Sequence, residues 1–259
     1  MTARPFLLLS TRSNATAAED EVRGFLDQSG MDRRRLEVLR LGSGPGAVPV
    51  PDALQDGTAL DAYAGILVGG SPFNSSDPHD HKDAAQREVE AGLGRLLDHV
   101  VEHDVPFLGA CYGVGTLGTH QGAVVDRRFG EPVGTSAIEL TDEGVSDPLT
   151  AGMPRRFTAF VGHKEAVSEL PPHAVLLATS GPCPVQMFRI KKNLYATQFH
   201  PELDPAGLAT RIAVYRDAGY FPPSDAERLT REALAADVPW PGVLLRNFVR
   251  IYADAAVPR

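Results

Sequence analysis

Hydrophobic and polar positions fall into two rhythms through the first half of the chain. Residues 6–9 are a short, wholly apolar run. Residues 17–28 mix polar with apolar positions, with Gly30 just beyond, and residues 36–41 alternate apolar with charged side chains. This is the βαβ pattern of an open parallel sheet. Residues 42–51 hold Gly42, Gly44, Pro45, Gly46, Pro49 and Pro51 and predict a surface loop. The segment Gly65-Ile66-Leu67-Val68-Gly69-Gly70 reads as a buried strand halted by two glycines. A long helix is predicted over 82–103, with Ala85, Val89, Leu93, Leu96, Leu97 and Val100 on one face. Val105-Pro106-Phe107-Leu108-Gly109 is a further buried strand and runs directly into Ala110-Cys111-Tyr112-Gly113.

Beyond this point the pattern changes to shorter strands over 138–140, 157–161, 174–179, 186–190 and 194–199, expected as a meander laid against the main sheet. The remainder predicts helices. Asp204-Pro205 is an N-cap followed by a first-turn proline, with Leu208, Ile212 and Tyr215 on one face and Gly219 as the stop. Ser224 to Glu227 fits the S-x-x-E capping box of a helix reaching about Asp237, and residues 243–252 form a last amphipathic helix. Together these elements predict a three-layer α/β sandwich with a mostly parallel sheet and its site at the carboxyl ends of the strands.

Composition narrows the function classes. In 259 residues, 43% are hydrophobic and 22% charged, which excludes a disordered, collagenous or coiled-coil chain. The net charge of -8 argues against nucleic acid and against a basic membrane-binding surface, leaving small molecules or proteins as partners. Two cysteines, Cys111 and Cys183, make neither a disulfide framework nor a zinc site. The apolar run over 5–9 is shorter than a signal-peptide core, and no stretch approaches the ~20 residues of a membrane span. A soluble, cytoplasmic protein is expected.

Cys111 ends a buried strand between glycines, the setting of a nucleophile on a sharp strand-to-helix turn. A helix starting there places its positive end near the sulfur and favours the reactive thiolate. Such a nucleophile needs a base, and the base an orienting partner. Phe199-His200-Pro201-Glu202 offers both, because residues i and i+2 of an extended segment share a side. Glu202 can hold one ring nitrogen of His200 while the other faces Cys111. Backbone N–H groups of Tyr112 and Gly70 are the candidate oxyanion donors.

In this order, Gly69-Gly70-Ser71-Pro72, Gly109-Ala110-Cys111-Tyr112-Gly113 and Phe199-His200-Pro201-Glu202 resemble the class I glutamine amidotransferase family, its GMP synthase-like branch above all, over about residues 6–203. The resemblance implies a flavodoxin-like fold spanning residues 1–259 as one domain, with a helical extension from about 204. It also implies attack of Cys111 on the side-chain amide of glutamine, a glutamyl thioester, and release of ammonia and glutamate without a cofactor or metal. Carried over by motif, Cys111 is the nucleophile, His200 the base and acid, and Glu202 its orienter. Val161-Gly162-His163-Lys164 is similar to the loop whose main chain holds the substrate's amino-acid end. The family usually shows C-x-G-x-Q after the elbow, with a substrate-binding glutamine; here that position is Gly115. Likewise, Gly69-Gly70-Ser71 stands in place of Gly-Gly-Pro.

A hydrolase of γ-glutamyl or other amides, made more plausible by Gly115, stands beside the glutaminase reading, as does a non-catalytic module that kept the fold. Neither a P-loop nor an ATP-pyrophosphatase module is visible, so the ammonia-accepting synthetase subunit is expected to be another chain. The helical extension has two uses open to it, covering the pocket or building a homo-oligomer.

Other motifs read more plainly. Gly113 to Gly118 matches G-x-G-x-x-G, but Gly122, Pro132 and Gly134 leave little room for the helix a nucleotide site needs. His99-Val100-Val101-Glu102-His103 matches H-x-x-E-H and reads as a solvated helix end. The polar run from Asp77 to Asp83 reads as a loop into a helix N-cap, and Cys183 as a loop residue. His120 and His163 are placed near the pocket as ordinary hydrogen-bonded histidines.

Overall fold

Strands that are apolar at every position must be covered on both faces, and the computed structural model, which describes residues 4–253, covers them with helices. In chain order the elements are β1 (Phe6–Ser10), α1 (Ala15–Ser29), β2 (Leu36–Arg40), α2 (Asp52–Gln55), β3 (Gly65–Val68), α3 (Ala84–Glu102), β4 (Phe107–Ala110) and α4 (Tyr112–His120). There follow β5 (Val124–Asp126), β6 (Glu131–Leu140), α5 (Asp142–Ser146), β7 (Arg156–His163), β8 (Ala166–Glu169), β9 (Ala174–Ser180), β10 (Met187–Ile190) and β11 (Leu194–Thr197). Three helices close the chain: α6 (Pro205–Val214), α7 (Ala226–Ala235) and α8 (Pro241–Tyr252).

The main sheet has nine strands in the order β2-β1-β3-β4-β11-β10-β9-β6-β7. The five from β2 to β11 are parallel to one another, and the other four run antiparallel to their neighbours. The meander predicted to lie against the sheet is thus its continuation, hydrogen-bonded edge to edge through β10 and β11. A separate ribbon, β5 with β8, has no counterpart in the sequence pattern.

β1 shows how the layers divide. Phe6 and Leu8 join the core with Phe25 of α1 and Phe248 of α8, while Leu7 and Leu9 join the opposite core with Leu93 and Leu96 of α3. Alternating side chains therefore feed both cores, which is why the run carries no polar position. Helix α1 is fixed by Asn14, which accepts from Ala17 N at 3.1 Å, and by Gly30, whose φ of 72° closes the helix. The Asp83 cap of α3 and the Asp204-Pro205 start of α6 form as their sequences predict.

One predicted cap does not form. Ser224 lies in a 3-10 turn over Pro223–Asp225, and α7 begins after it with no side-chain cap. Instead, Arg228 reaches back to Asp225 at 2.9 Å. The proline at the turn's first position suits the tight turn and moves the helix start past the serine.

Candidate active site

The turn from β4 into α4 places Cys111 at φ 54°, ψ -87°, a conformation rare for any residue with a side chain. The flanking glycines admit close approach and leave the unusual dihedral to the cysteine itself. A Cβ on Gly109 would stand 2.6 Å from Gly113 Cα, so strand and helix meet this closely only without it. Cys111 N donates to Thr197 O of the neighbouring β11 at 2.7 Å, tying the turn to the strand that leads to His200.

His200 is buried, and its N–H donates to Phe160 O of β7 at 3.0 Å. Its Nδ1 lies 2.8 Å from Glu202 Oε1, and the Cys111 sulfur is its other partner through charge and hydrogen bonding. Burial alone would push this imidazole down, but Glu202 and Cys111 outweigh it and lift it to about 9. Burial would push Glu202 up, yet the His200 and Arg211 charges bring it down to about 2. Arg211 Nη2 lies 3.7 Å from Glu202 Oε1 and 3.6 Å from Glu21 Oε1. Burial and the nearby Arg12 hold Arg211 below the ordinary arginine value against the pull of these carboxylates. Gly24 of α1 lets the Glu202 backbone press against the helix, where a Cβ would collide with Glu202 O.

Glu21, fully buried, accepts from Ser10 Oγ at 2.6 Å and Arg12 Nε at 3.1 Å. Arg12 Nη1 donates to Tyr215 Oη at 3.3 Å, while Nη2 has no hydrogen-bond partner among the described residues. A Cβ on Gly70 would run into Arg12 Nη2 and come within 3.0 Å of His200 Cε1. The N–H groups of Gly70 and Tyr112 likewise make no hydrogen bond among the described residues, the latter as the first residue of α4.

Two chambers meet at Cys111, sharing Ser71, Gly162 and Tyr220. The first, about 480 Å³, is walled by apolar side chains including Val133, Val161, Leu208, Ile212 and Phe221, with His200, Arg12 and Arg211 beside them. The second, about 360 Å³, is more polar and lined by Asn74, Gly115, His163, Glu165 and Gln198. Gly115 leaves no hole, because a Cβ there would stand 2.5 Å from Ser75 Oγ and 3.3 Å from Glu165 Oε1. The Glu165 carboxylate accepts from Ser75 N at 2.6 Å and Ser76 N at 2.7 Å, bridging two loops across this position.

Of the residues singled out in the sequence, Cys111, His200, Glu202, Gly70 and Tyr112 come together, and Gly115, Val161, Gly162 and His163 line the chambers. His163 is held on both sides, Nδ1 by Glu165 O at 2.8 Å and Nε2 by Glu131 Oε2 at 3.0 Å. His120 instead pairs with Asp98 at 2.9 Å. Sequence reasoning misses Arg12, Glu21, Glu165, Arg211, Tyr220 and Phe221. For Arg211 a signal exists, a charged position inside the Leu208, Ile212, Tyr215 stripe of α6.

Among the described residues, two groups have the composition of a metal site. His99, Glu102 and His103 cluster at the end of α3. Glu131, His163 and Cys183 form the other, but its histidine is already bonded on both nitrogens, and burial pushes the Cys183 thiol up to about 12. The glycine motif from Gly113 to Gly118 lies inside α4.

Comparison with known proteins settles the family. The sequence pattern of the family described as glutamine amidotransferase class-I matches residues 38–212. The chain belongs to the class-I glutamine amidotransferase family. The glutamine-hydrolyzing GMP synthase subunit of Thermococcus kodakarensis is 36% identical to this amidotransferase over 182 residues, covering 69% of the chain and 88% of the relative. Its counterpart from Thermoplasma volcanium is 30% identical, over 56% of the chain and 65% of the relative. The fold is shared with a glutamine amidotransferase from Thermotoga maritima, with a TM-score of 0.72 at 19% identity, covering 98% of this chain and 100% of that one. No helix among the described residues of the amidotransferase is long and apolar enough to cross a membrane.

Proposed function

We propose that the 259-residue chain works as a single glutaminase unit, the ammonia-releasing partner of a separate synthetase subunit in the cytoplasm. The observation that carries this reading is His200, held at 2.8 Å by Glu202 on one side and facing the Cys111 sulfur on the other. An imidazole lifted to about 9 is protonated at neutral pH, which favours a thiolate beside it. The thiolate attacks the γ-carboxamide carbon of glutamine. The oxyanion that forms is received by the Gly70 and Tyr112 N–H groups, which make no other hydrogen bond among the described residues. His200 gives its proton to the departing nitrogen, ammonia leaves, and a glutamyl thioester remains. Water then attacks the thioester, His200 takes its proton, and glutamate is released with the thiolate restored.

The polar chamber suits the amino-acid end of glutamine. Gly162 and its neighbours offer main-chain groups to the α-carboxylate, and Glu165 offers an acceptor to the α-ammonium in place of the glutamine absent at Gly115. Partnership rests on the relatives, whose names describe the glutamine-hydrolyzing part of a GMP synthase built from more than one chain. The test is release of glutamate and ammonia from glutamine, alone and with added lysate, together with mass spectrometry after 6-diazo-5-oxo-L-norleucine. An adduct on Cys111 and turnover that vanishes in Cys111→Ala are expected. An adduct on Cys183, or none, overturns the assignment.

A further inference from the structure

Ammonia is about the size of water, whose share of liquid volume is about 30 Å³. The apolar chamber beside Cys111 measures about 480 Å³, inside the range of sites that hold whole organic ligands. Its position relative to the reacting groups is specific. His200, which must protonate the leaving nitrogen, lines this chamber and is absent from the lining of the polar one. The departing amine therefore faces the larger, apolar space.

The walls of that space are supplied largely from beyond the His-Pro-Glu segment. Leu208 and Ile212 come from α6, and Tyr220 and Phe221 from the loop before α7. Phe221 is mostly buried and packs with Leu208 and Ile212 in a small core of its own, so this wall is an ordered surface. One charged group on the chamber has a donor to spare. Arg12 is 8% exposed, is held through Nε by Glu21 and through Nη1 by Tyr215, and leaves Nη2 without a hydrogen-bond partner among the described residues. That atom lies next to Gly70 and close to His200 Cε1, so an anion meeting it would sit a few bonds from the nitrogen that His200 protonates.

From these features we infer that the apolar chamber is a leaving-group site, and that the protein hydrolyses γ-glutamyl amides whose amine carries an apolar body and a carboxylate. The class is that of γ-glutamyl dipeptides ending in an apolar amino acid. This rests on the thioester reading of Cys111 and deepens it. Cys111 Sγ bonds to the γ-carbonyl carbon, the C–N bond breaks, and the amino acid leaves with the proton from His200. Water then adds to the thioester carbon, the C–S bond breaks, and the water's proton returns to His200, so one water is consumed for each glutamate and amino acid released. The apolar side chain occupies the wall of Leu208, Ile212 and Phe221, and the carboxylate meets Arg12 Nη2.

The test uses the full chain with three substrates: L-γ-glutamyl-L-phenylalanine, its C-terminal amide, and glutamine. Expected is a kcat/KM for γ-glutamyl-phenylalanine at least about tenfold above that for glutamine, with a loss of about tenfold when the carboxylate is amidated, the range a buried specificity contact supplies. Arg12→Gln should bring the acid and amide to similar values. Because Arg12 also braces Glu21, a second variant guards against misfolding: Ile212→Trp fills the chamber and should lower the γ-glutamyl-phenylalanine to glutamine ratio at least about tenfold. Cleavage of γ-glutamyl-phenylalanine no faster than glutamine, or a ratio unmoved by Ile212→Trp, overturns the inference. If glutamine is cleaved or Cys111 is labelled by 6-diazo-5-oxo-L-norleucine while the dipeptide is untouched, only the leaving-group site falls. If no substrate is cleaved and Cys111 stays unlabelled, the thioester reading falls with it.

Discussion

The fold contains two cysteines, and each lies beside a buried histidine paired with a carboxylate. Cys111 has His200 and Glu202 at 2.8 Å; Cys183 has His163 and Glu131 at 3.0 Å. The residue types are the same, and the two settings differ in three respects. Cys111 is half-buried, at positive φ, and opens on two chambers, whereas Cys183 is fully buried in a loop and gives its S–H to Val185 O at 3.5 Å. His200 has one nitrogen left for the sulfur, whereas both nitrogens of His163 are taken by Glu131 and Glu165 O. Finally, burial drives the Cys183 thiol up to about 12, away from the reactive form. Composition makes neither trio reactive; backbone geometry, a free ring nitrogen and access do.

The largest test of this contrast removes each sulfur in turn. Cys111→Ala is expected to lower kcat for glutamine at least about 10⁴-fold, whereas Cys183→Ala should leave kcat/KM within about threefold, both read by steady-state assay. Comparable losses from both would erase the distinction.

Next come the carboxylates. Glu202→Gln removes the charge that opposes burial at His200, so kcat should fall by about 10²- to 10⁴-fold. The His200 imidazolium should then lose its proton at lower pH than in the wild type, moving the pH profile of iodoacetamide labelling. Glu131→Gln should leave that profile in place, and movement of it there would break the comparison.

A third test follows from linkage. His200 is raised from 6.5 to about 9, so its contribution to stability is complete below pH 6.5 and is lost as pH rises through about 9. Glu202 is depressed from 4.5 to about 2, so its contribution is present above pH 4.5 and lost as pH falls through about 2. In denaturant titrations, the advantage of wild type over Glu202→Gln should be greatest between pH 4.5 and 6.5 and shrink toward pH 9. An advantage that grows over that range would contradict it.

The smallest effects concern the backbone around each sulfur. Gly109→Ala drives a Cβ to 2.6 Å from Gly113 Cα and should cost about 1–3 kcal/mol. Gly181→Ala, near Cys183, meets nothing within 4 Å and should stay within about 0.5 kcal/mol. Thermal unfolding reads both.

Much of this is legible in the chain because the informative signals are local. The wholly apolar β1 and β3 announce a sheet covered on both sides, and the elbow and the His-Pro-Glu segment each hold their chemistry within five residues. Edge and ribbon strands are harder. Of β6 only 138–140 reads as strand, because Gly134, Thr135 and Ser136 sit on a half-exposed strand whose identity comes from pairing with β7. The Ser224 motif misleads because the preceding proline favours a tighter turn. Glu165 meets Ser75 across 90 residues, and Arg211 meets Glu21 across most of the chain, so no window of sequence contains either contact.

The bond from Cys111 N to Thr197 O joins the two strands that carry sulfur and imidazole, and adjacent strands are held at a ladder spacing of about 4.8 Å. The reacting pair is thus ruled by the sheet itself, while the chamber walls are drawn from loops and tail. Descendants of such a chain can rewrite what they cut by altering α6 and the loop after it, and still inherit the blade unaltered.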